Sequence, residues 1–578
     1  MDILTRQRGA LALTGAGAGL AIWAVGEAAR RGEWSERAEF GLASLVFTFF
    51  AALLAMAGPL SLRRAALSAL PVAAVVALLL SLAALRFETV ASFQTSGLPF
   101  VAAFVLGFLP LPVLIAQAGP GWRDYPTLFA ESWRLVVRAV AAWLFAGLVW
   151  GMVWLSDALL GIVGLGFVEW MMQAGPLAEM LTGMALGLGC AVVSESTESA
   201  APDLILRLLR LLAPPLLAVT ALFLVALPLQ GLSALPGNLS AAGILLTLAV
   251  AGVGLVSVLV DRSDTDAAGG PVLGRSAAVW AVILPVPVAL AGWALAERVA
   301  QHGWTPGRLF GVVVTVAAAG YALSYLAAVL RGAGWRARIR RANLAMAGVV
   351  AGLAALWLTP VLDAEAISAG SQLGRYEAGV TAAADLDVEA LRGWGRPGAA
   401  ALARLEALAE QPGHRDLALR LAAAAAGEPP GMDEATEDLL TELRAVMPLQ
   451  PPGATAVRDQ LLTTIPAVEL RTWIDACATP LPAGDRPGCV FVVADLWRDR
   501  PGEEAVVLLR EPSGFVRYEG LGMGATGVER RSVMAMAGLL PDRKAGEELI
   551  ATLQDAPPAL VPAPLNMLGV GGGLILLP

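Results

Sequence analysis

Apolar residues along this chain come in blocks of about twenty, the length a helix needs to cross about 30 Å of hydrocarbon with every backbone group bonded internally. Eleven such runs are legible, near residues 9–29, 40–60, 65–85, 97–118, 135–155, 177–193, 211–232, 239–260, 276–296, 309–330 and 342–361. The run 177–193 is short and contains Glu179, and the first is rich in glycine. Residues 156–175 are also apolar, but Asp157, Glu169 and the following Pro176 interrupt them, which predicts a re-entrant or interfacial segment. The first run is longer than a secretory signal core and is followed by further spans, so an uncleaved first helix is expected.

After residue 361 the pattern changes. Short Ala/Leu/Glu/Arg helices separated by GRPG, QPGH and GEPPG occupy residues 386–447, a helical array without a fixed repeat period. After Cys489 the runs CVFVVADL, EAVVLLR and GFVRYEG read as strands between turns. The expected architecture is a polytopic α-helical membrane protein of about eleven transmembrane helices (1–361), a helical extracytoplasmic segment (362–455) and a strand-rich α+β extracytoplasmic domain (456–578).

Composition supports the division. Hydrophobic residues make up 57% and charged residues 15% of the 578 positions, well below the roughly 25% charge of soluble chains. Residues up to Val361 carry 22 Arg and 18 acids, net +4, whereas the remainder carries 17 Arg, Lys544 and 30 acids, net −12. An acidic body repels phosphates, and neither half clusters Lys and Arg with aromatics, so nucleic acid is not expected as a partner. The scarcity of Lys beside abundant Arg, Ala and Gly reads as codon bias.

Basic residues in the short loops give an orientation. With the N-terminus inside, fifteen Arg fall on the cytoplasmic side, including Arg6, Arg63, Arg123, Arg262 and the group from Arg331 to Arg341; six fall opposite. Eleven spans would then put the C-terminal domain in the periplasm of a bacterial inner-membrane protein. Cys190 lies alone in an apolar run, whereas Cys477 and Cys489 both fall in the exported part; they are either disulfide partners in an oxidising compartment or two unrelated buried thiols.

Candidate chemistry is sparse. Arg138 stands one turn inside its helix, where a side chain that snorkels to the headgroups is the expectation, and Glu27 and Glu179 read as interfacial. Trp143, Trp150 and Trp154 share a helical face and suggest packing plus an aromatic belt. The preceding GPGWRDYPTLFAESWR mixes Tyr125, Phe129 and Trp133 with charges, as an amphipathic segment along the headgroups would. In ERVAQHGWTPGRL, Thr305 is a helix N-cap, Pro306 suits the first helical position, and Trp304 can staple onto Leu309. Arg308, in the first turn of that helix, faces an unfavourable dipole and calls for an anion such as Glu297, a lipid phosphate or a ligand. His302 beside it makes no metal or triad site by itself. Ser368, Gln372 and Arg375 form a polar stripe at helical spacing after the last span, suited to bracing the junction.

In the C-terminal part, Asp495, Asp499 and Glu503 are spaced as three positions of a calcium loop. Trp497 stands at the third position and no carboxylate at the twelfth, so a hairpin connection is the expectation. Gly522, Gly524 and Gly527 match G-x-G-x-x-G, with Asp542 beyond, but the following sequence reads equally as strand. No cofactor or metal is expected. His414 is the one soluble-domain base, which leaves a hydrolase poorly supported.

The HGWTPGR signature opening a late helix, the YPTLF...W segment and ISAGSQLGRYEAG after the final span resemble the uncharacterised bacterial membrane family called domain of unknown function 4153, over roughly residues 122–408. The resemblance carries over Tyr125, Phe129, Trp133, Thr305, Arg308, Ser368, Gln372 and Arg375 as signature positions, and no activity with them. Trp304 stands where the family favours a smaller apolar residue. Sparse catalytic residues, a large exported domain and few intramembrane charges lead to the expectation of a non-enzymatic envelope anchor, with an interaction or sensing domain and with membrane lipids and an envelope protein or lipid ligand as partners. The alternative is a transporter or flippase for a lipidic or weakly polar substrate entering past Arg138 and Arg308. A membrane-embedded transferase ranks third.

Overall fold

A computed structural model of the chain describes residues 3–32, 34–161, 168, 171–172, 175–196, 201–230, 241–267, 270–425, 434–462, 465, 467–482, 484–496, 502–511, 514–524, 527–531, 533, 543–556, 567–570 and 573–576. The chain divides into two compact units, Met1–Thr381 with Asp387–Gln411, and Ala382–Leu386 with Pro412–Pro578.

The first unit is helical. It contains α1 (Ile3–Arg31), α2 (Glu36–Met56), α3 (Leu62–Ala84), α4 (Val90–Gln94), α5 (Leu98–Phe108), α6 (Pro110–Gln117) and α7 (Tyr125–Gly161). Next come α8 (Leu177–Ser196), α9 (Ala201–Gln230), α10 (Ala241–Val260), α11 (Pro271–Ile283), α12 (Pro285–His302), α13 (Pro306–Leu330) and α14 (Trp335–Leu358). α15 (Ala364–Glu377), α16 (Val388–Gly393) and α17 (Gly395–Ala409) complete it.

Among the described residues, ten helices are long and apolar enough to cross a membrane, and Leu177–Val193 is a shorter apolar helix. These correspond one for one to the eleven apolar runs. Two runs are interrupted by proline, which lacks the N–H that would continue the ladder. Pro110 separates α5 from α6, and Pro285 separates α11 from α12. From Tyr125 onward the segment GPGWRDYPTLFAESWR forms the first turns of α7, continuous with the long apolar helix behind it. Of residues 156–175, α7 takes those up to Gly161, and most of the rest lie outside the described residues.

The short helix α8 lies antiparallel to α1. A Cβ on Gly15 would stand 1.9 Å from the Gly183 carbonyl oxygen, and one on Gly187 would stand 2.2 Å from that of Leu11. Only glycine allows backbones this close, which is how helices gain contact where lipid supplies no hydrophobic drive. On its other side α8 meets α7, where Trp150 Nε1 donates to Thr182 Oγ1 at 3.0 Å. Trp143 and Trp154 on the same helix point outward, 62% and 56% exposed.

The helix ends sort into two sets. At one end, the starts of α7 and α9 and the end of α10 pack around Phe129, Leu206 and Val258. Leu11 of α1 belongs with Met56, Leu135 and Ala191 at that same end of α7. At the other end, Phe87, Leu309, Trp357, Leu358 and Ala364 share a core. α7 leaves the first end, α9 begins there, and α8 runs antiparallel to α7, with Gly189 against Ala142 and Thr182 against Trp150.

The second unit contains α18 (Arg415–Ala425), α19 (Glu434–Val446), β1 (Leu449–Gln450), α20 (Thr455–Leu462) and α21 (Ala467–Ala478). Then follow β2 (Cys489–Ala494), β3 (Glu504–Arg510), β4 (Val516–Gly524), β5 (Gly527–Arg531), α22 (Arg543–Asp555), β6 (Met567–Val570) and β7 (Gly573–Leu576). Strands β1 to β5 form one sheet in sequence order, β1 parallel to β2 and the rest antiparallel. Both faces are covered, which explains the unbroken apolar run of β2. Phe491, Val493, Val507 and Leu509 pack with Leu443 and Trp473 on one face, and Val490, Val492 and Leu508 pack with Ile550 on the other.

Gly522 and Gly524 belong to β4 and Gly527 to β5, paired as an antiparallel hairpin with Gly524 opposite Gly527. The glycine pattern is therefore strand, without the helix that a phosphate loop must open. Its companion Asp542 lies outside the described residues. Asp495 and Glu503 belong to the connection between the antiparallel strands β2 and β3, and Asp499 lies outside the described residues.

Candidate functional site

A helix leaves its last four carbonyls without intrahelical partners, and at a membrane end water does not always reach them. In this protein arginines from other elements take up that role repeatedly. Arg138 on α7 is only 5% exposed, and its Nη1 donates to Ala57 O beyond the end of α2 at 2.9 Å. The expectation that Arg138 snorkels to the headgroups is thus corrected. Its side chain turns inward because a helix end offers it a carbonyl there.

The signature of the late helix resolves in the same way. Thr305 caps α13, its side chain accepting from Arg308 N at 3.3 Å, with Pro306 at the first position. Arg308 Nη1 donates to Gly303 O at 2.7 Å and to His302 O at 3.2 Å. Gln372 Nε2 donates to His302 O at 2.9 Å and Trp304 O at 3.0 Å, and Arg375 donates to Ala300 O at 3.0 Å and Gln301 O at 2.6 Å. Three side chains thus close the C-terminal carbonyls of α12. The negative end of that helix dipole supplies Arg308 with a partner of the required sign. His302 enters through its carbonyl. Ser368 is fully buried on α15, and its hydroxyl meets no partner among the described residues.

Beside this junction stands a group that the sequence did not single out. Arg86, 8% exposed, donates to Glu365 Oε2 at 3.0 Å, Trp357 O at 2.9 Å and Thr359 O at 2.7 Å. Glu365 is 4% exposed. Burial pushes its carboxyl above the ordinary value, against the opposing pull of Arg86. Arg37 likewise donates to Phe87 O at 2.9 Å.

The remaining signature residues lie at the other end. Tyr325 is 20 residues beyond Thr305 on α13, about 30 Å along the axis. Here Asn343 Nδ2 donates to Tyr125 OH at 2.9 Å and Ser257 Oγ at 3.2 Å, and Tyr325 OH donates to Asn343 Oδ1 at 2.5 Å. Phe129 and Trp133 pack just below Tyr125. Arg340 donates to Asp261 O and Val260 O, both at 2.9 Å, closing the end of α10, and to Asp264 Oδ1 at 2.7 Å; Arg210 pairs with the Asp261 carboxylate.

A cavity of about 350 Å³ opens over this network, lined by Arg123, Asp124, Tyr125, Arg262, Arg340 and Arg341 among others. Two of these arginines already face carboxylates, Arg262 with Asp266 and Arg340 with Asp264. The Ser263 hydroxyl and Arg262 hold Asp266 below the ordinary carboxylate range. Of the network, sequence reading identified only Tyr125; Ser257, Tyr325 and Asn343 are isolated polar residues in apolar runs, and an Asn inside such a run was the available signal.

In the second unit Cys477 and Cys489 form a disulfide between the end of α21 and the start of β2, and both are buried in the sheet's core. No curated protein and no solved structure matches the chain. The family model described as Domain of unknown function (DUF4153) matches residues 11–405, and the chain belongs to that family of integral membrane proteins with unassigned activity.

Proposed function

We propose that this protein is a non-enzymatic anchor of the bacterial inner membrane. In this reading it crosses eleven times from a cytoplasmic N-terminus and carries a periplasmic C-terminal domain that binds or senses an envelope partner. The observation that carries the reading is the engagement of its arginines. Arg138 and Arg308, which a substrate route would use, are occupied by main-chain carbonyls at helix ends. That is the work of a fixed scaffold.

The return of the chain through α8, packed against α1 over most of its length, supports an odd number of crossings. The excess of loop arginines on one side supports the orientation. The disulfide in the second unit fits an oxidising compartment.

One feature favours the alternative of a transporter or flippase for a lipidic substrate. An apolar groove of about 300 Å³ runs between helices, lined by Val101, Phe310, Tyr321 and Trp357 among others. Deletion of residues 412–578 separates the readings. The anchor reading expects the deletion to reproduce the full loss phenotype of the chain, with no lipid movement in vesicles carrying the intact protein. Complementation by the membrane body alone, with lipid movement in vesicles, would establish the alternative.

A further inference from the structure

The cavity between the start of α7 and the start of α14 holds more positive charge than its own carboxylates neutralise. Arg262 and Arg340 are paired. Asp124 is engaged as the helix cap of α7, accepting from Thr127 N at 3.1 Å and Thr127 Oγ1 at 2.5 Å. Arg123 and Arg341, both exposed and both lining the cavity, meet no carboxylate among the described residues. Arg123 is held over the Trp122 ring at 4.6 Å, which fixes its direction without cancelling its charge.

The lining adds a further donor. Tyr125 lines the cavity, its hydroxyl accepts from Asn343, and its own proton meets no acceptor among the described residues. Two unpaired planar forks and one free O–H around a polar hollow match an oxyanion with several acceptor oxygens. The place is a helix end flanked by Trp122 and Trp335, the depth at which indoles meet lipid headgroups.

We propose that this cavity binds a phosphate group, held by Arg123 and Arg341 with Tyr125 as third donor. The phosphate belongs either to the headgroup of an anionic lipid or to a soluble phosphate ester, because both present the same oxygens to the same donors. The site does not depend on which side of the membrane it faces.

The test is titration of the detergent-solubilised full chain with short-chain phosphatidylglycerol, with phosphatidylcholine, and separately with inorganic phosphate. The wild type is expected to bind the anionic lipid over the zwitterionic one. Arg123→Gln with Arg341→Gln should weaken that binding about tenfold or more, as loss of charge-assisted hydrogen bonds implies, whereas Arg123→Lys with Arg341→Lys, which keeps the charge and loses the forks, should bind more weakly than the wild type and more tightly than the Gln pair. Arg63→Gln with Arg64→Gln removes two exposed charges that do not line the cavity, and should bind as the wild type does. Should the double variant fail to fold, the exposed Arg341→Gln alone carries the comparison.

Binding of inorganic phosphate with the same arginine dependence identifies a soluble ligand, and binding of the lipid alone identifies the headgroup. The proposal is overturned if the Gln variants bind like the wild type, if the Arg63 and Arg64 pair loses as much, or if the wild type binds neither ligand.

Discussion

Arginine in this protein closes helices. Its planar fork reaches two carbonyls at once, which an ammonium on a flexible stem does less well, so the preference for Arg over Lys that composition attributed to codon bias has a structural use here. Arg86 is the most consequential instance because it also neutralises a buried carboxylate. Arg86→Ala leaves Glu365 buried and unpaired, which is expected to cost about 3–5 kcal/mol. Glu365 already binds its proton more tightly in the folded chain than the ordinary value of 4.5 implies, because of burial. The stability it contributes is therefore largest at low pH and is lost as pH rises through the folded value. Without Arg86 that value rises further, so the penalty of Arg86→Ala should be larger at about pH 7.5 than at about pH 5. Thermal unfolding of the detergent-solubilised variant and wild type at both pH values checks this; equal penalties would contradict it.

At the scale of elements, the contact between α1 and α8 makes the sharpest demand. Gly183→Val puts carbons where the Gly15 carbonyl stands, 2.0 Å from an ideal Cβ, and must push the helices apart. A loss of more than about 2 kcal/mol is expected, together with reduced yield of folded protein by size-exclusion chromatography. Gly17→Ala, where a Cβ meets nothing within 4 Å, should be tolerated.

The membrane helices were legible because twenty apolar residues admit no other solution in lipid, and Thr305 and Pro306 marked the start of α13. The strands of the second unit were legible from β-branched runs between turns. What escaped was partnership. Position along a helix tells how deep Arg138 lies, but not that Ala57 O waits beside it. The aromatic and charged mixture around Tyr125 reads as a surface segment because its partner Asn343, and the Ser257 that Asn343 also reaches, lie far away in sequence. Gln372 and Arg375 were recognisable as a stripe, while the carbonyls they close became visible only in three dimensions.

At the scale of the molecule, a neutral-to-basic helical body is joined to an acidic domain that holds a disulfide. The disulfide closes a short loop, with a sequence separation of 12, and should contribute about 2–3 kcal/mol to the second unit. Cys477→Ser with Cys489→Ser is expected to lower its resistance to protease, and a reductant should do the same to the wild type but not to the variant. A wild type indifferent to reductant would show the bond to be absent in the folded chain.

Sidedness is the claim on which the proposed function stands, and a reporter joined after Pro578 reads it most directly. Alkaline phosphatase there should be active and green fluorescent protein dark; a silent phosphatase with bright cytosolic fluorescence would contradict the account.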